Sequence, residues 1–219
     1  MRMRKKKNGE KRIAACAAYL VSEPITSFAE LFGNEREVHV EIGCGKGNFV
    51  CGMAEKDPEV NFLAVEKVSD VCCIALEKAK AALEASGTDN VRFYIGDANS
   101  LCDIIPPHSV DCIYLNFSDP WPKKGHTKRR LTYRGFLEIY RKLLKEGGVL
   151  KLKTDNVGLF DFSLEEFEAE GLEFLMQTRD LHHSEYAEGN VMTEYEKNFS
   201  DKGMNICSAH VRFIKKENE

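Results

Sequence analysis

The sequence lacks any long apolar stretch. Of its 219 residues, 43% are hydrophobic and 30% are charged, and no run approaches the roughly 18–20 apolar residues of a membrane-spanning helix. Residues 1–7 are basic and no apolar stretch follows them, so we expect no secretory signal. We therefore expect a cytoplasmic protein without a membrane partner. The sequence leaves open whether it is a monomer or a homodimer.

A Cys-x-x-Cys pair is also missing, although the chain has eight cysteines. Zinc sites and redox-active disulfides commonly use that spacing, and most of these cysteines lie among apolar residues. We interpret them as reduced thiols and expect no metal. The adjacent His182 and His183 have no third ligand at a suitable spacing, so we interpret them as surface or structural residues.

The formal net charge is only −4, but the charges are unevenly distributed. Residues 2–12 hold seven Lys or Arg against one acid, and residues 120–134 hold six against none. Residues 161–196 instead hold eleven acids and one base. Two concentrated basic segments favour a nucleic-acid partner, with an ordinary solvated loop as the alternative for residues 120–134.

Apolar runs alternate with amphipathic patterns from residue 38 onward. This alternation predicts an α/β protein with a doubly wound parallel sheet. The predicted strands are Val38–Ile42, Asn61–Glu66, Val91–Ile95, Val110–Phe117 and Val149–Lys153. The predicted helices lie near residues 46–56, 70–85, 99–105 and 132–144.

The C-terminal part continues with a helix near residues 157–170. Two more strands are predicted after it, Leu172–Thr178 and Ile206–Ile214, with no long helix between them, so we expect an antiparallel end to the sheet. The pair Gly147–Gly148 predicts a sharp stop before the fifth strand. Residues 10–33 are predicted to form a helical extension.

Glycines and acids mark the ends of the first three predicted strands. The turn Gly43-x-Gly45-x-Gly47 lets the backbone approach a ligand closely, although a turn needed only for packing is the alternative. Glu41 beside it would repel a pyrophosphate but suits a cation, which favours S-adenosylmethionine over a nicotinamide cofactor. Glu66 is placed to accept from ribose hydroxyls, and Asp97 to meet an adenine amino group. Solvated acids at strand ends are the alternative for these carboxylates.

The fourth predicted strand leads into a carboxylate, a rigid turn and a basic run. Asp119 precedes Pro120, Trp121 and Pro122, and six residues of the run that follows carry positive charge through residue 134. This order indicates a guanine-binding pocket beside a track for phosphates. A core anchor for Trp121 and a solvated loop for the basic run are the alternatives.

These segments resemble the signature of the bacterial tRNA (guanine-N7-)-methyltransferases. The resemblance spans about residues 30–214 and its proline-tryptophan loop is distinctive, although Gly125 stands where that family usually has arginine and residues 8–29 match poorly. The matching segments are Glu30–Asn34, Glu41–Gly43, Ala64–Lys67, Asp119–Lys124, His126, Lys128–Arg130, Lys153–Asn156, Thr193–Glu196 and Phe199.

The resemblance implies the class I methyltransferase fold, a Rossmann-like sheet of seven strands with an antiparallel terminal strand. Together with the residue pattern of the N-terminal part, this divides the chain into a basic tail and short helical extension over residues 1–33 and an expected methyltransferase domain over residues 34–219. The implied reaction is methyl transfer from S-adenosylmethionine to N7 of a tRNA guanine, in the family the variable-loop guanine at position 46. A methyltransferase of small molecules or proteins and a noncatalytic RNA-binding module are the alternatives.

Site residues follow from the strand ends and from the resemblance. We expect Asp119 to be catalytic and to lie between the cofactor and the base, which it holds as positive charge develops there. The expected cofactor-binding residues are Glu41, Gly43, Gly45, Glu66, Asp97 and Asp119. The expected substrate-binding residues are Lys123, Asp155, Thr193, Glu194, Tyr195 and Glu196. The expected RNA contacts are Gly125, His126, Thr127, Lys128, Arg129 and Arg130.

Overall fold

A computed structural model describes residues 8–200 and 202–214. The described residues form two compact units that divide after Pro106. Their strands are β1 (Leu20–Val21), β2 (Val38–Ile42), β3 (Asn61–Glu66), β4 (Val91–Ile95), β5 (Val110–Asn116), β6 (Leu144–Thr154), β7 (Glu173–Thr178) and β8 (Cys207–Arg212). Their helices are α1 (Gly9–Ala14), α2 (Phe28–Phe32), α3 (Asn48–Lys56), α4 (Ser69–Ser86), α5 (Arg134–Leu143), α6 (Val157–Ala169) and α7 (Glu194–Ser200).

The first unit contains four parallel strands in the order β1-β4-β3-β2. The predicted bounds of β2, β3 and β4 are confirmed, because these short apolar runs are buried and end at turns. Glu41 lies beside Ala64 in the register, and Glu66 lies beside Ile95. The carboxyl ends of the three strands therefore meet at one edge, as ligand sites in such sheets require.

Helix α4 shows why its segment is helical. Its buried positions recur at the three- and four-residue spacing of one helix face: Cys72, Cys73, Ala75, Leu76, Ala79 and Leu83. The helix ends at Gly87, whose φ of 73° is left-handed and whose amide donates to the carbonyl of Leu83 at 2.9 Å. The prediction of a helix over residues 70–85 is confirmed.

The predicted N-terminal extension is only partly helical. It contains α1 and α2, but Leu20–Val21 forms strand β1 beside β4. Arg12 of α1 pairs with Glu77 of α4 at 2.5 Å, so this segment packs on the first unit. Residues 1–7 of the basic tail lie outside the described residues, and the boundary at residue 33 stays a prediction.

The second unit contains one parallel and two antiparallel strand pairs. Strand β5 runs parallel to β6, while β8 runs antiparallel to both β6 and β7. The prediction of an antiparallel C-terminal end is confirmed. The described residues form eight strands where seven were predicted, and the additional one is β1.

The prediction that Gly147–Gly148 stops the chain before the fifth predicted strand is wrong. Helix α5 ends at Leu143 and β6 begins at once with Leu144, so both glycines lie inside β6. The pairing of β5 with β6 shifts register between Val110 and Cys112, and the left-handed Gly147 (φ 77°) accommodates the irregularity. The two glycines therefore lie in an irregular part of strand β6 and not in a turn before it.

Two further sequence expectations concern the whole chain. Across residues 8–200 and 202–214, no helix combines the length and apolarity that crossing a membrane requires. Six of the eight cysteines are buried, which fits their apolar surroundings in the sequence.

Candidate functional site

The glycine turn after β2 has a left-handed backbone at three positions. Gly43, Gly45 and Gly47 have φ values of 82°, 56° and 74°, a region that glycine adopts without steric cost. A Cβ on Gly47 would lie 2.9 Å from the Cβ of Ala75, so close packing against α4 also requires glycine there. A Cβ on Gly43 or Gly45 would meet no protein atom within 4 Å. Gly43 and Gly45 thus leave the backbone open to close approach by a ligand.

Glu66 connects the end of β3 to this turn. Its Oε2 accepts from the amide of Gly45 at 3.0 Å, and its Oε1 accepts from the amide of Val68 at 2.8 Å. A carboxylate accepts about four hydrogen bonds, so each oxygen retains capacity for one more donor. The side chain is partly exposed and suits the two hydroxyls of a ribose.

The other two predicted cofactor acids differ in their surroundings. Glu41 is buried, with 3% of its surface exposed. Asp97 is half-buried, and its Oδ1 accepts from the backbone and side-chain amides of Asn99 while Lys67 donates to its Oδ2 at 2.5 Å. The hydrogen bond from Lys67 and that from the Asn99 backbone lower the pKa of Asp97 and keep it ionised.

These residues fit a ligand that carries positive charge and hydroxyl groups. An open glycine turn and three acids at one edge of parallel strands provide close approach and negative potential. A pyrophosphate would meet repulsion from Glu41 and Glu66. Among the described residues, no three His, Cys, Asp or Glu side chains are grouped as metal ligands would be.

In the second unit, the turn after β5 is strained. Phe117 and Trp121 have φ values of 53° and 41°, and a bulky side chain in this region is unusual. Such positions cost about 1–3 kcal/mol each and are found most often at functional sites. Asp119 lies between these two residues and is exposed to solvent.

Arg130 holds this strained turn. Its Nε donates to the carbonyl of Pro120 at 3.0 Å, and its Nη2 donates to that of Trp121 at 3.2 Å. Its guanidinium also lies 4.4 Å from the ring centre of Phe162. The side chain of Arg130 is therefore engaged in fixing the turn, which was not predicted. Its predicted RNA contact stays a prediction.

The basic loop that follows is a short 3₁₀ helix over Lys124–Arg129. Trp121 is its anchor, because the guanidinium of Arg129 lies 4.9 Å from the ring centre and His126 packs edge-on at 5.5 Å. Thr127 Oγ1 donates to the carbonyl of Lys124 at 2.8 Å. The residues left exposed are Lys123, Lys124, Gly125, Lys128 and Arg129.

The residues at the end of β6 and directly after it have different roles. Thr154 Oγ1 accepts from the amide of Asn156, and Asn156 Oδ1 accepts from the amide of Leu159 at 2.8 Å, which caps α6. Asp155 between them is half-buried. Two of these matched residues thus shape the local backbone, and Asp155 is the one available to a ligand.

Tyr195 provides an aromatic surface close to Asp119 and Asp155. Its ring stacks on Phe199 with centres 4.4 Å apart, and lies 5.1 Å from Phe117. Burial and then the negative charges of Asp155 and Asp119 raise the pKa of Tyr195. Asp119 and Asp155 therefore both lie close enough to Tyr195 for their charges to act on it, and 46% of Tyr195 remains exposed. Their role in binding the base stays a prediction.

The remaining predicted residues of this segment are engaged internally. Glu196 is fully buried and pairs with Lys153 and His182, and Thr193 Oγ1 accepts from the amide of Glu196 at 2.8 Å. Glu194 begins α7, and its side chain lies outside the described residues. His182 is structural, as predicted. The sequence analysis assigned Lys153 no role of its own. The Thr-x-x-Glu pattern of Thr193 and Glu196, in contrast, is a local signal of a helix cap.

Comparison with known proteins links the sequence to one group. A family model described as "Putative methyltransferase" matches residues 35–209. The tRNA (guanine-N(7)-)-methyltransferase of a Streptococcus thermophilus strain is 42% identical over 216 residues, 97% of this chain and 99% of that protein. A Streptococcus pyogenes protein of the same name is 44% identical over 97% of this chain and all of its own length. The similarity thus extends into the N-terminal region that the motifs did not reach.

Solved structures support the fold. The 16S rRNA methyltransferase KamB matches with a TM-score of 0.66 at 13% identity, covering 89% of this chain and 96% of its own. A SAM-dependent methyltransferase from Aquifex aeolicus matches with a TM-score of 0.56 at 14% identity, covering 95% of this chain and all of its own. The predicted class I methyltransferase fold is confirmed.

Proposed function

Because the chain belongs to the family of tRNA (guanine-N7-)-methyltransferases, we propose that it transfers the methyl group of S-adenosylmethionine to N7 of the variable-loop guanine of tRNA, conventionally position 46. The reaction class, the methyl donor and the tRNA substrate follow from membership of the family. The position of the guanine and the roles of individual residues are our proposal. We also propose a cytoplasmic location, which fits a tRNA substrate.

One observation carries the assignment of roles. Asp119 is exposed on a strained turn, near Asp155 and Tyr195, and the exposed Lys123 and Lys124 follow at once. The two carboxylates can accept hydrogen bonds from the N1–H and the amino group of a guanine. The tyrosine provides an aromatic surface, and the lysines provide positive charge for the neighbouring phosphates. A methyltransferase of small molecules has no need of such a basic loop.

Guanine N7 carries an in-plane lone pair, so the reaction requires no prior removal of a proton. When bound, S-adenosylmethionine supplies a methyl group on a positively charged sulfur, and its transfer leaves the positive charge on the purine. A carboxylate beside the base therefore stabilises the transition state more than the ground state. We assign this role to Asp119, with Asp155 as a second base-side carboxylate.

Residues of the first unit bind the donor in this proposal. Glu66 accepts from the ribose hydroxyls and Asp97 from the adenine amino group, while Glu41 favours the positive charge. Gly43 and Gly45 allow the backbone to approach the ligand. Lys123 reaches the phosphates or the base of the target nucleotide. The proposed RNA contacts are Gly125, His126, Thr127, Lys128, Arg129 and Arg130.

A labelling experiment tests the function. The protein is incubated with methyl-labelled S-adenosylmethionine and total tRNA, the tRNA is digested, and the labelled nucleoside is identified. We expect 7-methylguanosine, and a transcript with adenosine at position 46 should accept no label. Label in another nucleoside or at another guanine contradicts the proposal, and label only in protein or small molecules supports the alternative substrate class.

A further inference from the structure

A buried ion pair lies under the first turn of α7. The side chains of Lys153 and Glu196 are 8% and 0% exposed, and Lys153 Nζ lies 2.7 Å from Glu196 Oε2. The same nitrogen donates to Asn190 Oδ1 at 3.0 Å and to the carbonyl of Val191 at 2.9 Å. An ammonium group has three donors, and these three acceptors all belong to residues 190–196.

Glu196 is equally committed to protein partners. Its Oε1 accepts from His182 Nε2 at 2.8 Å and from Asn190 Nδ2 at 2.6 Å, and its Oε2 accepts from Lys153 Nζ and from the amide of Thr193 at 3.2 Å. Two carboxylate oxygens accept about four hydrogen bonds, so these four donors use the full capacity of the group. Burial alone would raise the pKa of Glu196, but Lys153 and the other donors lower it and keep it ionised.

Thr193 and Glu196 also cap each other. The amide of each donates to the side-chain oxygen of the other, at 3.2 and 2.8 Å. This reciprocal arrangement fixes the first turn of a helix. Tyr195 lies within the turn and, unlike Glu196, is accessible, with 46% of its surface exposed. Phe117 and Phe199 support its ring, and both pack against the buried Met176, Leu181 and Ile206.

We infer that Lys153 and Glu196 are positioning residues that hold Tyr195 as an aromatic platform for the target base beside Asp119 and Asp155, and that Glu196 does not itself contact the base. The inference rests on the proposed function and replaces the direct substrate contact expected for Glu196. A purine stacks on an exposed tyrosine ring, while the accessible carboxylates accept from its edge. The buried pair fixes the height and tilt of that ring.

A double-mutant cycle tests the inference. Glu196→Gln, Tyr195→Ala and the combined variant are assayed for kcat/KM with tRNA, together with Lys153→Met and the wild type. Because a small misplacement of a bound group costs up to about a hundredfold, each single variant should lose about tenfold to a hundredfold in kcat/KM. Glu196→Gln should add no further loss once Tyr195 is alanine. Affinity for S-adenosylmethionine should not change.

Glu166→Gln is the matched control. Glu166 is also a buried carboxylate, and it accepts from the amide, Nε and Nη2 of Arg134. Its loss should lower thermal stability but leave the turnover number on saturating tRNA unchanged. If Glu196→Gln does not fold, Lys153→Met combined with Glu196→Met replaces the pair by apolar groups, a change that buried ion pairs tolerate. That variant should fold and show the same loss of kcat/KM.

Two results overturn the inference. Wild-type kcat/KM in a folded Glu196→Gln variant removes the positioning role, and losses that multiply in the combined variant show that Glu196 meets the substrate independently of Tyr195. In both cases the wild type still forms 7-methylguanosine, so the proposed function stands. A wild type that forms none overturns the proposed function and this inference with it.

Discussion

The two turns at strand ends reach a left-handed backbone in different ways. The turn after β2 uses glycine at Gly43, Gly45 and Gly47, which adopt positive φ without steric cost. The turn after β5 instead places Phe117 and Trp121 in that region, at about 1–3 kcal/mol each. The first leaves the backbone open at Gly43 and Gly45, whereas the second is held in an unfavourable shape by contacts that include two hydrogen bonds from Arg130.

The acids proposed to bind the donor and those proposed to act on the base also differ in how far their surroundings fix them. Glu66 and Asp97 already accept hydrogen bonds from backbone amides or from Lys67, so their orientation is set in advance. Asp119 is exposed, and Asp155 is half-buried. We propose that the glycine turn is organised for binding the donor and the strained turn for acting on the base, and the following predictions test this division.

The largest effect is expected at Asp119. Asp119→Asn keeps the shape of the side chain but removes the charge, and its amide can oppose the N1–H of guanine as a second donor. We expect the rate of methyl transfer to fall by about a hundredfold or more, as when one preorganised electrostatic group is removed. Single-turnover kinetics on saturating tRNA measures the effect.

A structural role for Asp119 predicts a different pattern. If Asp119 only shapes the turn before Pro120, the variant should melt at a lower temperature while its folded fraction keeps its specific activity. A thermal melt of the same preparation separates the two cases, and near-normal chemistry would leave Asp155 as the catalytic candidate.

The next effect concerns stability and compares two glycines. Gly47→Ala combines a left-handed backbone with a distance of 2.9 Å to the Cβ of Ala75, whereas Gly33→Ala has nearly the same φ and no atom within 4 Å. We expect a decrease of about 2–4 kcal/mol in the free energy of unfolding for Gly47→Ala, from backbone and packing strain together. Gly33→Ala should lose about 1–2 kcal/mol, from the backbone alone.

Urea denaturation of the two glycine variants measures the difference. Equal decreases would show that α4 moves aside without cost, and that close packing does not explain the third glycine of the turn.

Removal of Glu66 should weaken donor binding. Glu66→Ala loses charge-assisted hydrogen bonds to the ribose and to the amides of Gly45 and Val68, so affinity for S-adenosylmethionine should fall by about tenfold to a hundredfold. Glu66→Gln keeps one acceptor oxygen and should fall less. Calorimetry on folded protein tests both, and an unchanged affinity would remove Glu66 from the donor site.

The smallest effect is expected from the exposed lysines of the basic loop. Binding of tRNA should weaken as salt rises, because phosphates release condensed counterions when the protein neutralises them. Replacing Lys123, Lys124 and Lys128 by alanine should flatten the slope of log K against log salt by about 0.7–0.9 for each phosphate that the variant no longer neutralises. An unchanged slope would place the RNA-binding surface elsewhere.

Arg130 provides the contrast within that loop. Because its guanidinium binds the carbonyls of Pro120 and Trp121, Arg130→Ala should release the strained turn and lower turnover more than it changes the salt slope. A changed slope with normal turnover would show that Arg130 acts mainly on phosphates.

Local patterns were sufficient to predict most of the fold. Strands β2, β3 and β4 are short apolar runs bounded by turns, and their predicted limits are confirmed. Strand β1 was missed because two residues, Leu20–Val21, carry no periodicity. The Gly147–Gly148 pair was misread because a bulge and a turn use the same residue type, and only the pairing partner distinguishes them.

The local patterns proposed a set of site residues, but they could not indicate which of those residues are engaged with other parts of the protein. Glu196 and Arg130 belong to the motifs that match the family. In the structure, however, the side chain of each forms hydrogen bonds with other groups of the protein. Lys153 reaches Asn190 and Glu196 across 37 and 43 positions of sequence. Such interactions depend on tertiary packing, which no local pattern contains.

One crossed measurement tests the division between the two turns most directly. Donor affinity and single-turnover rate are measured on the same preparations of Asp119→Asn and Glu66→Gln. We predict that Asp119→Asn lowers the rate with little change in affinity, and that Glu66→Gln lowers affinity but recovers the rate at saturating S-adenosylmethionine. If affinity and rate fall together in both folded variants, donor binding and chemistry are not divided between the two turns, and the proposed division is wrong.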